Sequence, residues 1–180
     1  MHPLIYDVAV SIDGFISGPG GDISRFAHEG LVVEDYAARL ASYAVAVMGR
    51  ATYEFGYGFG LKPGENPYPH MRTLVFSRSI ELPPDSRVET VRAGAGRAVA
   101  ELKATAEGPV YLVGGGAFAA SLLSAGLIDR VRLKRAPVLL GGGVRVFGED
   151  AASSATFECL RTRSHDDGYV FQEFAVRNGA

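Results

Sequence analysis

Three consecutive glycines separate an apolar, β-branched run from a helix-forming run, in the stretch Val110-Tyr111-Leu112-Val113-Gly114-Gly115-Gly116-Ala117-Phe118. Glycine permits backbone conformations and close approaches that a Cβ atom would prevent. The start of the following helix presents unpaired N–H groups and the positive end of the helix dipole. A strand, a glycine-rich turn and a helix in this order predict a phosphate-binding site. The alternative is a tight turn whose glycines serve packing alone.

Two other segments combine a strand end with residues that suit phosphate. In Met48-Gly49-Arg50-Ala51-Thr52, backbone amides, a hydroxyl and a guanidinium can face one anion, and Phe76-Ser77-Arg78 is a shorter version. The planar guanidinium of arginine bonds two phosphate oxygens at once. In open α/β sheets, ligands bind beyond the carboxyl ends of the strands. Three such segments predict a large phosphorylated ligand, and Ser77-Arg78 favours NADP over NAD because it suits a 2′-phosphate.

No standard nucleotide motif accounts for these segments. A P-loop requires a Gly-Lys pair, which the sequence lacks. Gly94-Ala95-Gly96 can begin a dinucleotide-binding fingerprint, but Val99 occupies the position of its third glycine.

Hydrophobic periodicity predicts strands alternating with helices over the first two-thirds of the chain and a hairpin at its end. In the predicted helices 31–43 and 96–106, Ala37 and Thr105 are expected to face inward. This order predicts an α/β fold in a single domain over residues 1–180, with a mostly parallel sheet, an antiparallel C-terminal hairpin and helices on both faces. The predicted strands are 4–11, 44–48, 73–76, 87–91, 110–113, 128–136, 156–163 and 169–176, and further helices are predicted at 50–55 and after Gly116.

Composition excludes several classes of protein. The 180 residues carry a net charge of −2, which argues against nucleic-acid binding. The single cysteine, Cys159, excludes an internal disulfide, and the four histidines show no metal-ligand spacing. The uncharged stretch 108–128 contains the glycine triplet, so a strand and a helix are predicted there rather than a membrane span. The chain starts without a basic and then apolar segment, and a cytoplasmic location is expected.

Four motifs together resemble the dihydrofolate-reductase-like domain that forms the C-terminal reductase of riboflavin-biosynthesis deaminase–reductases and occurs alone in many bacterial proteins. The resemblance spans nearly the whole chain. It implies a reductase that binds NADPH, transfers hydride to a small heterocycle related to a pterin, a pyrimidine or a riboflavin precursor, and forms a homodimer. The motifs are Val10-Ser11-Ile12-Asp13-Gly14-Phe15-Ile16, Met48-Gly49-Arg50-Ala51-Thr52-Tyr53, 113–117, and Pro137-Val138-Leu139-Leu140-Gly141-Gly142-Gly143 with Phe147.

The resemblance also implies roles for individual residues, assigned by position in the matching motifs. Ala9 and Ile16 are expected to flank the nicotinamide, and Ser77 and Arg78 to meet the adenosine 2′-phosphate. Other residues are expected to hold the phosphates or to line the cofactor cleft. The phosphate group comprises Gly49, Arg50, Thr52, Gly114, Gly115 and Gly116, and the cleft group comprises Leu139, Leu140 and Gly141.

Hydride transfer to a C=N bond also needs a proton, which a carboxylate with a raised pKa or a bound water can deliver. Asp13 and Glu34 are the candidate catalytic residues, and the alternatives are a turn residue before Gly14 and a solvated helix face. The expected substrate contacts are Ser11, Phe26, Tyr53 and Tyr57, although core packing explains Tyr53 equally well. Two other functions stay open: a non-catalytic module that binds NADPH or another nucleotide for regulation, and a structural domain that binds no nucleotide.

Overall fold

In the computed structural model, residues 1–149 and 155–177 are described. They form an eight-stranded sheet in the order β5-β4-β3-β6-β1-β7-β10-β9 and a two-stranded sheet of β2 and β8. The strands are β1 (Leu4–Val10), β2 (Phe15–Ser17), β3 (Val45–Gly49), β4 (Arg72–Phe76), β5 (Glu89–Val91), β6 (Val110–Gly114), β7 (Arg130–Arg135), β8 (Val144–Arg145), β9 (Thr156–Ser164) and β10 (Val170–Arg177). The helices are α1 (Leu31–Leu40), α2 (Arg50–Phe55), α3 (Ala95–Thr105) and α4 (Gly116–Ser124), with short 3-10 turns at Pro19–Gly21 and Gly56–Phe59.

The first six strands of the large sheet, from β5 to β7, run parallel, and β10 and β9 close it as an antiparallel pair. Strand β1 lies between β6 and β7, and its residues are mostly buried because both faces of the sheet are covered. The sheet and its helices confirm the predicted α/β fold with a mostly parallel sheet and a C-terminal hairpin.

Helices cover both faces of the sheet. Helices α3 and α4 pack through Val99, Leu102 and Leu122 against one face of β1 and β6. Helix α1 packs through Tyr36 and Leu40 against the other face, together with Tyr43, which follows it in the chain. Successive strand residues point to opposite faces, so alternate positions of β1 serve the two layers.

Two details of the helix faces differ from the prediction. Ala37 of α1 is exposed, because the helix is rotated so that Val32 and the half-buried Arg39 face the sheet. Thr105 of α3 is exposed, and Lys103 is buried instead because its ammonium lies 2.7 Å from a carboxylate oxygen of Asp129. In both cases a polar side chain turns inward to reach a charged partner that the helix pattern does not reveal.

Within residues 1–149 and 155–177, no helix has the length and apolar character that crossing a membrane requires.

Candidate functional site

The carboxyl ends of the parallel strands bring the three predicted phosphate segments to one edge of the sheet. Gly49 at the end of β3 is in register with Phe76 of β4, which precedes Ser77 and Arg78. On the other side of β3, Met48 is in register with Gly114. Parallel strands place these ends together, and three neighbouring cavities open along this edge.

The first cavity, here called the tyrosine cavity, has a volume of about 430 Å³. It lies between β1, α1 and the 23–28 segment. Apolar side chains form its walls, and its floor contains the charged groups of Asp7 and Lys134 with three tyrosines. The walls include Ala9, Ile16, Ile23, Phe26, Val32, Val33 and Phe55, and the tyrosines are Tyr36, Tyr68 and Tyr111, with Tyr169 and His28 nearer the 27–30 loop.

Asp7 of β1 is the buried acid of this cavity, and sequence analysis did not identify it. Its Oδ2 accepts hydrogen bonds from Arg39 Nε at 2.9 Å and from the Tyr43 hydroxyl at 3.0 Å. Its Oδ1 lies 3.4 Å from Lys134 Nζ. Burial alone would raise the pKa of the Asp7 carboxyl, but Lys134, Arg39 and Tyr43 together lower it below its ordinary value. Asp7 is therefore a buried carboxylate, held by two cations.

Lys134 of β7 is the basic partner in this cavity. Its Nζ lies 3.2 Å from the centroid of the Tyr36 ring, over the face of that ring. Burial lowers the pKa of Lys134 to about 8, although the carboxylate of Asp7 opposes the shift. An ammonium with this pKa exchanges its proton near neutral pH far more readily than an ordinary lysine.

The tyrosines of the floor form a chain of contacts. The hydroxyls of Tyr36 and Tyr111 are 2.5 Å apart, and the Tyr111 ring stacks on the Tyr43 ring with 4.9 Å between centroids. Burial raises the pKa of Tyr36 and of Tyr111 above the ordinary tyrosine value. These hydroxyls therefore keep their protons and can donate hydrogen bonds to a ligand.

The second cavity, here called the glycine cavity, has a volume of about 260 Å³ and adjoins the first. Val8, Ile16, Ile23, Phe55 and Val113 line both cavities. The glycine cavity adds residues from the starts of α2 and α4 and from β8, namely Ala51, Thr52, Gly114, Gly115 and Val144, with Ser17 and Gly21. The two cavities thus form one cleft with a shared apolar wall.

The three glycines of the central stretch serve different purposes. Gly114 has a φ of +145°, and the peptide bond between Gly114 and Gly115 is cis. A Cβ on Gly115 would lie 3.1 Å from Thr52 Oγ1, so the bare backbone leaves room in the glycine cavity. A Cβ on Gly116 would lie 2.0 Å from the carbonyl oxygen of Arg145. The packing alternative therefore accounts for Gly116, whereas Gly114 and Gly115 face the cleft.

The third cavity, here called the arginine cavity, has a volume of about 310 Å³ and contains Ser77 and Arg78. Ser77 Oγ accepts hydrogen bonds from the amides of Ser79 and Ile80. Arg92, which sequence analysis missed, also lines this cavity, and its guanidinium donates to the carbonyl oxygens of Arg78 and Ile80. These bonds fix the loop that presents Arg78.

The helix α2 segment contributes less to the cleft than predicted. Arg50 is exposed, and its guanidinium bonds Glu54 Oε1 at 2.7 Å and the Ser79 hydroxyl at 3.0 Å. Gly49 packs against Phe118, since a Cβ there would lie 3.4 Å from the Cβ of Phe118. Of the three predicted phosphate residues in this segment, Thr52 is the one that lines a described cavity.

The two predicted catalytic carboxylates occupy positions that do not suit proton donation. Asp13 accepts hydrogen bonds from the amides of Leu140 and Gly141 at 3.1 and 2.8 Å. A hydrogen bond with Ser11 and these amides lower the pKa of Asp13 to about 2, so the carboxyl is ionised at neutral pH. Glu34 is exposed on α1 and lines none of the three cavities. Asp13 thereby holds the loop of Leu139, Leu140 and Gly141, and these three residues line none of the three cavities.

Among the predicted substrate contacts, Phe26 lines the tyrosine cavity. Ser11 is buried, and its Oγ accepts a hydrogen bond from the Phe15 amide, so it closes the turn after β1. Tyr53 is a core residue whose hydroxyl donates to the Glu65 carbonyl oxygen, and Tyr57 packs against its ring. Phe55, between them in sequence, reaches the cleft instead.

Within residues 1–149 and 155–177, no three His, Cys, Asp or Glu side chains are grouped as metal ligands.

Comparison with known proteins adds three findings. A relative in Bacillus subtilis (strain 168), the uncharacterized protein YwjB, is 29% identical over 143 residues, covering 79% of this chain and 80% of the relative. A putative riboflavin biosynthesis protein from Shewanella sp. PV-4 has a similar structure, with a TM-score of 0.80, 25% identity and coverage of 99% of this chain and 100% of that chain. The fold is also that of dihydrofolate reductase from Enterococcus faecalis, a structure solved with NADP(H), with a TM-score of 0.68, 17% identity and coverage of 98% and 97%.

The family comparison extends over almost the whole chain. Residues 3–171 match the family model described as the RibD C-terminal domain. The matched range contains β1 to β9, all four helices, and the three cavities. The chain belongs to the RibD C-terminal domain family.

Proposed function

We propose that this protein is an oxidoreductase that uses NADPH to reduce a small heterocyclic substrate. The observation that carries the proposal is the continuous wall between the glycine cavity and the tyrosine cavity. One ligand held at the glycine turn can meet a second ligand held in the tyrosine cavity. Family membership and the NADP(H) complex of the Enterococcus dihydrofolate reductase support this proposal.

The residues along the sheet edge fit a phosphorylated dinucleotide. Gly114, Gly115 and Thr52 leave a space that a Cβ atom would fill, next to the start of α4. The arginine cavity supplies Ser77 and Arg78 for a 2′-phosphate. Ala9 and Ile16 line the tyrosine cavity, where the nicotinamide is expected to meet the substrate. A bound reduced nicotinamide supplies a hydride, and the protein must orient the two ligands and exclude water.

The tyrosine cavity favours a flat heterocycle. Phe26, Val32 and Val33 offer apolar surface to a ring, and Phe55 lies where the two cavities meet. Tyrosine hydroxyls and the Lys134 ammonium at the floor can bond the polar atoms of such a ring. Burying a ring against these walls also keeps water away from the carbon that receives the hydride.

The first test is a titration of the full chain with NADPH, NADH and ATP in parallel. We expect NADPH to bind most tightly, and Arg78→Ala to weaken NADPH binding about tenfold or more with little effect on NADH, because a hydrogen bond to a charged group contributes about 1.5–3 kcal/mol. Arg97→Ala is the matched control, since Arg97 is an exposed arginine of α3 paired with Glu101. Equal loss of NADPH and NADH affinity in Arg78→Ala contradicts the 2′-phosphate assignment.

The second test is turnover with reduced cofactor and a panel of heterocycles that contain a C=N bond. NADPH oxidation that depends on the heterocycle supports a reductase. Tight NADPH binding without oxidation favours the non-catalytic nucleotide-binding module, and no nucleotide binding favours the structural domain. The homodimer and the cytoplasmic location stay predictions.

A further inference from the structure

The single carboxylate at the floor of the tyrosine cavity has two cationic neighbours. The guanidinium of Arg39 and the ammonium of Lys134 both contact the single carboxylate of Asp7. Each nitrogen of the Arg39 guanidinium is engaged there, because they donate to both oxygens of Asp7 and to the Asp35 carbonyl, and the group lies 4.4 Å from the centroid of the Phe171 ring. The excess charge therefore belongs to Lys134, which lines the cavity.

The ammonium of Lys134 is held firmly but has donor capacity left. The side chain is 9% exposed, with Nζ 3.4 Å from Asp7 Oδ1 and 3.2 Å from the centroid of the Tyr36 ring. An ammonium has three N–H donors. One can point to Asp7 and one to the ring face, which leaves a third for a ligand in the cavity.

We propose that Lys134 is the proton donor of the reduction and passes a proton to the substrate atom beside the carbon that receives the hydride. This inference rests on the proposed function. In the reduction of a C=N bond, the carbon gains a C–H bond from the hydride, and the former π electrons form a new N–H bond with the proton of Lys134. The substrate is reduced and NADPH is oxidised to NADP⁺. The neutral amine of Lys134 then regains a proton from water that enters after product release.

Asp7, Tyr36 and Tyr111 at the floor of the cavity are poorer donors. Asp7 has no proton to give, because its cationic neighbours keep the carboxyl ionised. Tyr36 and Tyr111 hold their protons too strongly, since burial raises the pKa of each hydroxyl above its ordinary value. The pKa of Lys134, about 8, is close to the pH at which a general acid is most effective.

The same charge also stabilises the reaction before the proton moves. Hydride addition to a C=N carbon places negative charge on the nitrogen, and a fixed cation in a water-poor cavity interacts strongly with such charge. Asp7 acts here as a positioning residue, because it holds the ammonium of Lys134 beside Tyr36. Its one negative charge does not cancel the two positive charges of Arg39 and Lys134. Asp7 and Arg39 carry opposite charges, so the ammonium supplies the remaining positive charge.

The decisive experiment compares Lys134→Met with Lys103→Met. Lys103 is also a buried lysine with a carboxylate partner, but it lies on α3 and lines none of the three cavities. With NADPH and 6-methyl-7,8-dihydropterin as probe, we expect Lys134→Met to lower kcat about 100-fold or more, the usual range for loss of a general acid, and to leave the Kd of NADPH unchanged. Lys103→Met should keep the wild-type kcat.

Two further readouts separate proton donation from a structural role. The wild-type kcat should fall as the pH rises above about 8, because the donor loses its proton, and Lys134→Met should lose this dependence. In the cofactor-free chain, the ¹³Cε signal of Lys134 should shift when the pterin binds. In a Cys159→Ser background, Lys134→Cys treated with bromoethylamine regains an ammonium of lysine length and should regain turnover, whereas the treated Cys159→Ser chain should not change.

The outcomes distinguish this inference from the proposed function. If wild-type protein does not bind NADPH, the proposed function fails. If NADPH binds and Lys134→Met retains its kcat or its pH dependence, only the assignment of Lys134 is wrong. Absence of both pterin turnover and a Lys134 signal shift also contradicts the assignment. If Lys134→Met does not fold, the double variant Asp7→Asn/Lys134→Met removes both charges together and is expected to show the same loss of kcat.

Discussion

The buried pair of Asp7 and Lys134 is the residue-level feature that sequence patterns could not reveal. Lys134 lies opposite Ala9 in the β1–β7 register, so the ammonium reaches Asp7 diagonally across two strands that are far apart in sequence. A lysine among the charged residues of β7 looks like part of a solvated strand face. Only the covering of that face by α1 and its Tyr36 ring makes it part of a cavity floor.

The pKa of Lys134 predicts how stability depends on pH. Its folded value is about 8, and an unfolded lysine titrates near 10.4. Between these values the unfolded chain binds more protons than the folded chain, so the free energy of unfolding should rise as the pH rises through this range. We expect urea unfolding between pH 7.5 and 9.5 to show this rise in wild-type protein and in Lys103→Met, and to show a smaller rise in Lys134→Met. Equal slopes in all three proteins contradict a lowered pKa at Lys134.

Asp13 could be identified from the sequence as a residue of interest, but the hydrogen-bond partners of its carboxylate could not. The sequence identified it as a chemically capable residue in a loop after β1, with a turn residue as the alternative. The structure supports the second interpretation, because backbone amides from residues more than 120 positions away bind both carboxylate oxygens. Such bonds depend on where two loops meet, and no local pattern contains that information.

At the level of elements, the glycine turn before α4 combines a cavity wall and a packing contact. Gly116→Ala places a methyl group 2.0 Å from the Arg145 carbonyl oxygen, so the 145–148 segment must move. We expect a loss of about 1–3 kcal/mol in the free energy of unfolding, as for other overpacked sites. Chemical denaturation of the cofactor-free protein measures it.

The control for this substitution is Gly96→Ala in α3. A Cβ there meets Leu127 at 3.7 Å, which is an ordinary contact, and the residue is helical. Gly96 lies in the first turn of α3, and alanine at a position whose backbone conformation it can adopt restricts the unfolded chain more than glycine does, so this variant should be as stable as wild-type protein or more stable. If Gly116→Ala leaves the free energy of unfolding unchanged, the 145–148 segment moves without a loss of stability and the prediction is wrong.

The strands and the central glycine turn were largely predictable, because their apolar runs and glycines are local in sequence. The bounds of β1, β3, β4 and β10 agree with the predicted strands to within one or two residues. The cavity walls were not predictable to the same degree. Tyr53 and Tyr57 were expected at the substrate and Phe55 was not, because the direction of each side chain depends on how α2 is oriented against β3 and β4.

At the level of the whole molecule, the tyrosine cavity and the glycine cavity join to form one cleft. Phe55 lines both cavities and is 38% exposed. Phe55→Ala should raise both the Kd of NADPH and the KM of the heterocycle, each about 3–10-fold, since it removes apolar contact area from two ligands. Phe59→Ala is the control, because Phe59 is 66% exposed and its ring lies 5.1 Å from that of Phe55 outside the cavities. Steady-state kinetics and fluorescence titration measure the two constants. A change in only one of them would mean that Phe55 serves a single ligand.

Strand β1 is hydrogen-bonded on both sides, to β6 and to β7, in the middle of the eight-stranded sheet. Amides in such a position exchange with deuterium only through openings that approach global unfolding. We therefore expect the charged floor of the cleft to be as rigid as the sheet, and the distance between Asp7 and Lys134 to change little when ligands bind. Adjustment to ligands of different shape falls to the 11–30 segment, a loop-rich part of the chain that lines the tyrosine and glycine cavities with Ile16 and Ile23. Substrates of different shape can therefore be accommodated by changes in this segment, while Asp7 and Lys134 stay on the central strands β1 and β7.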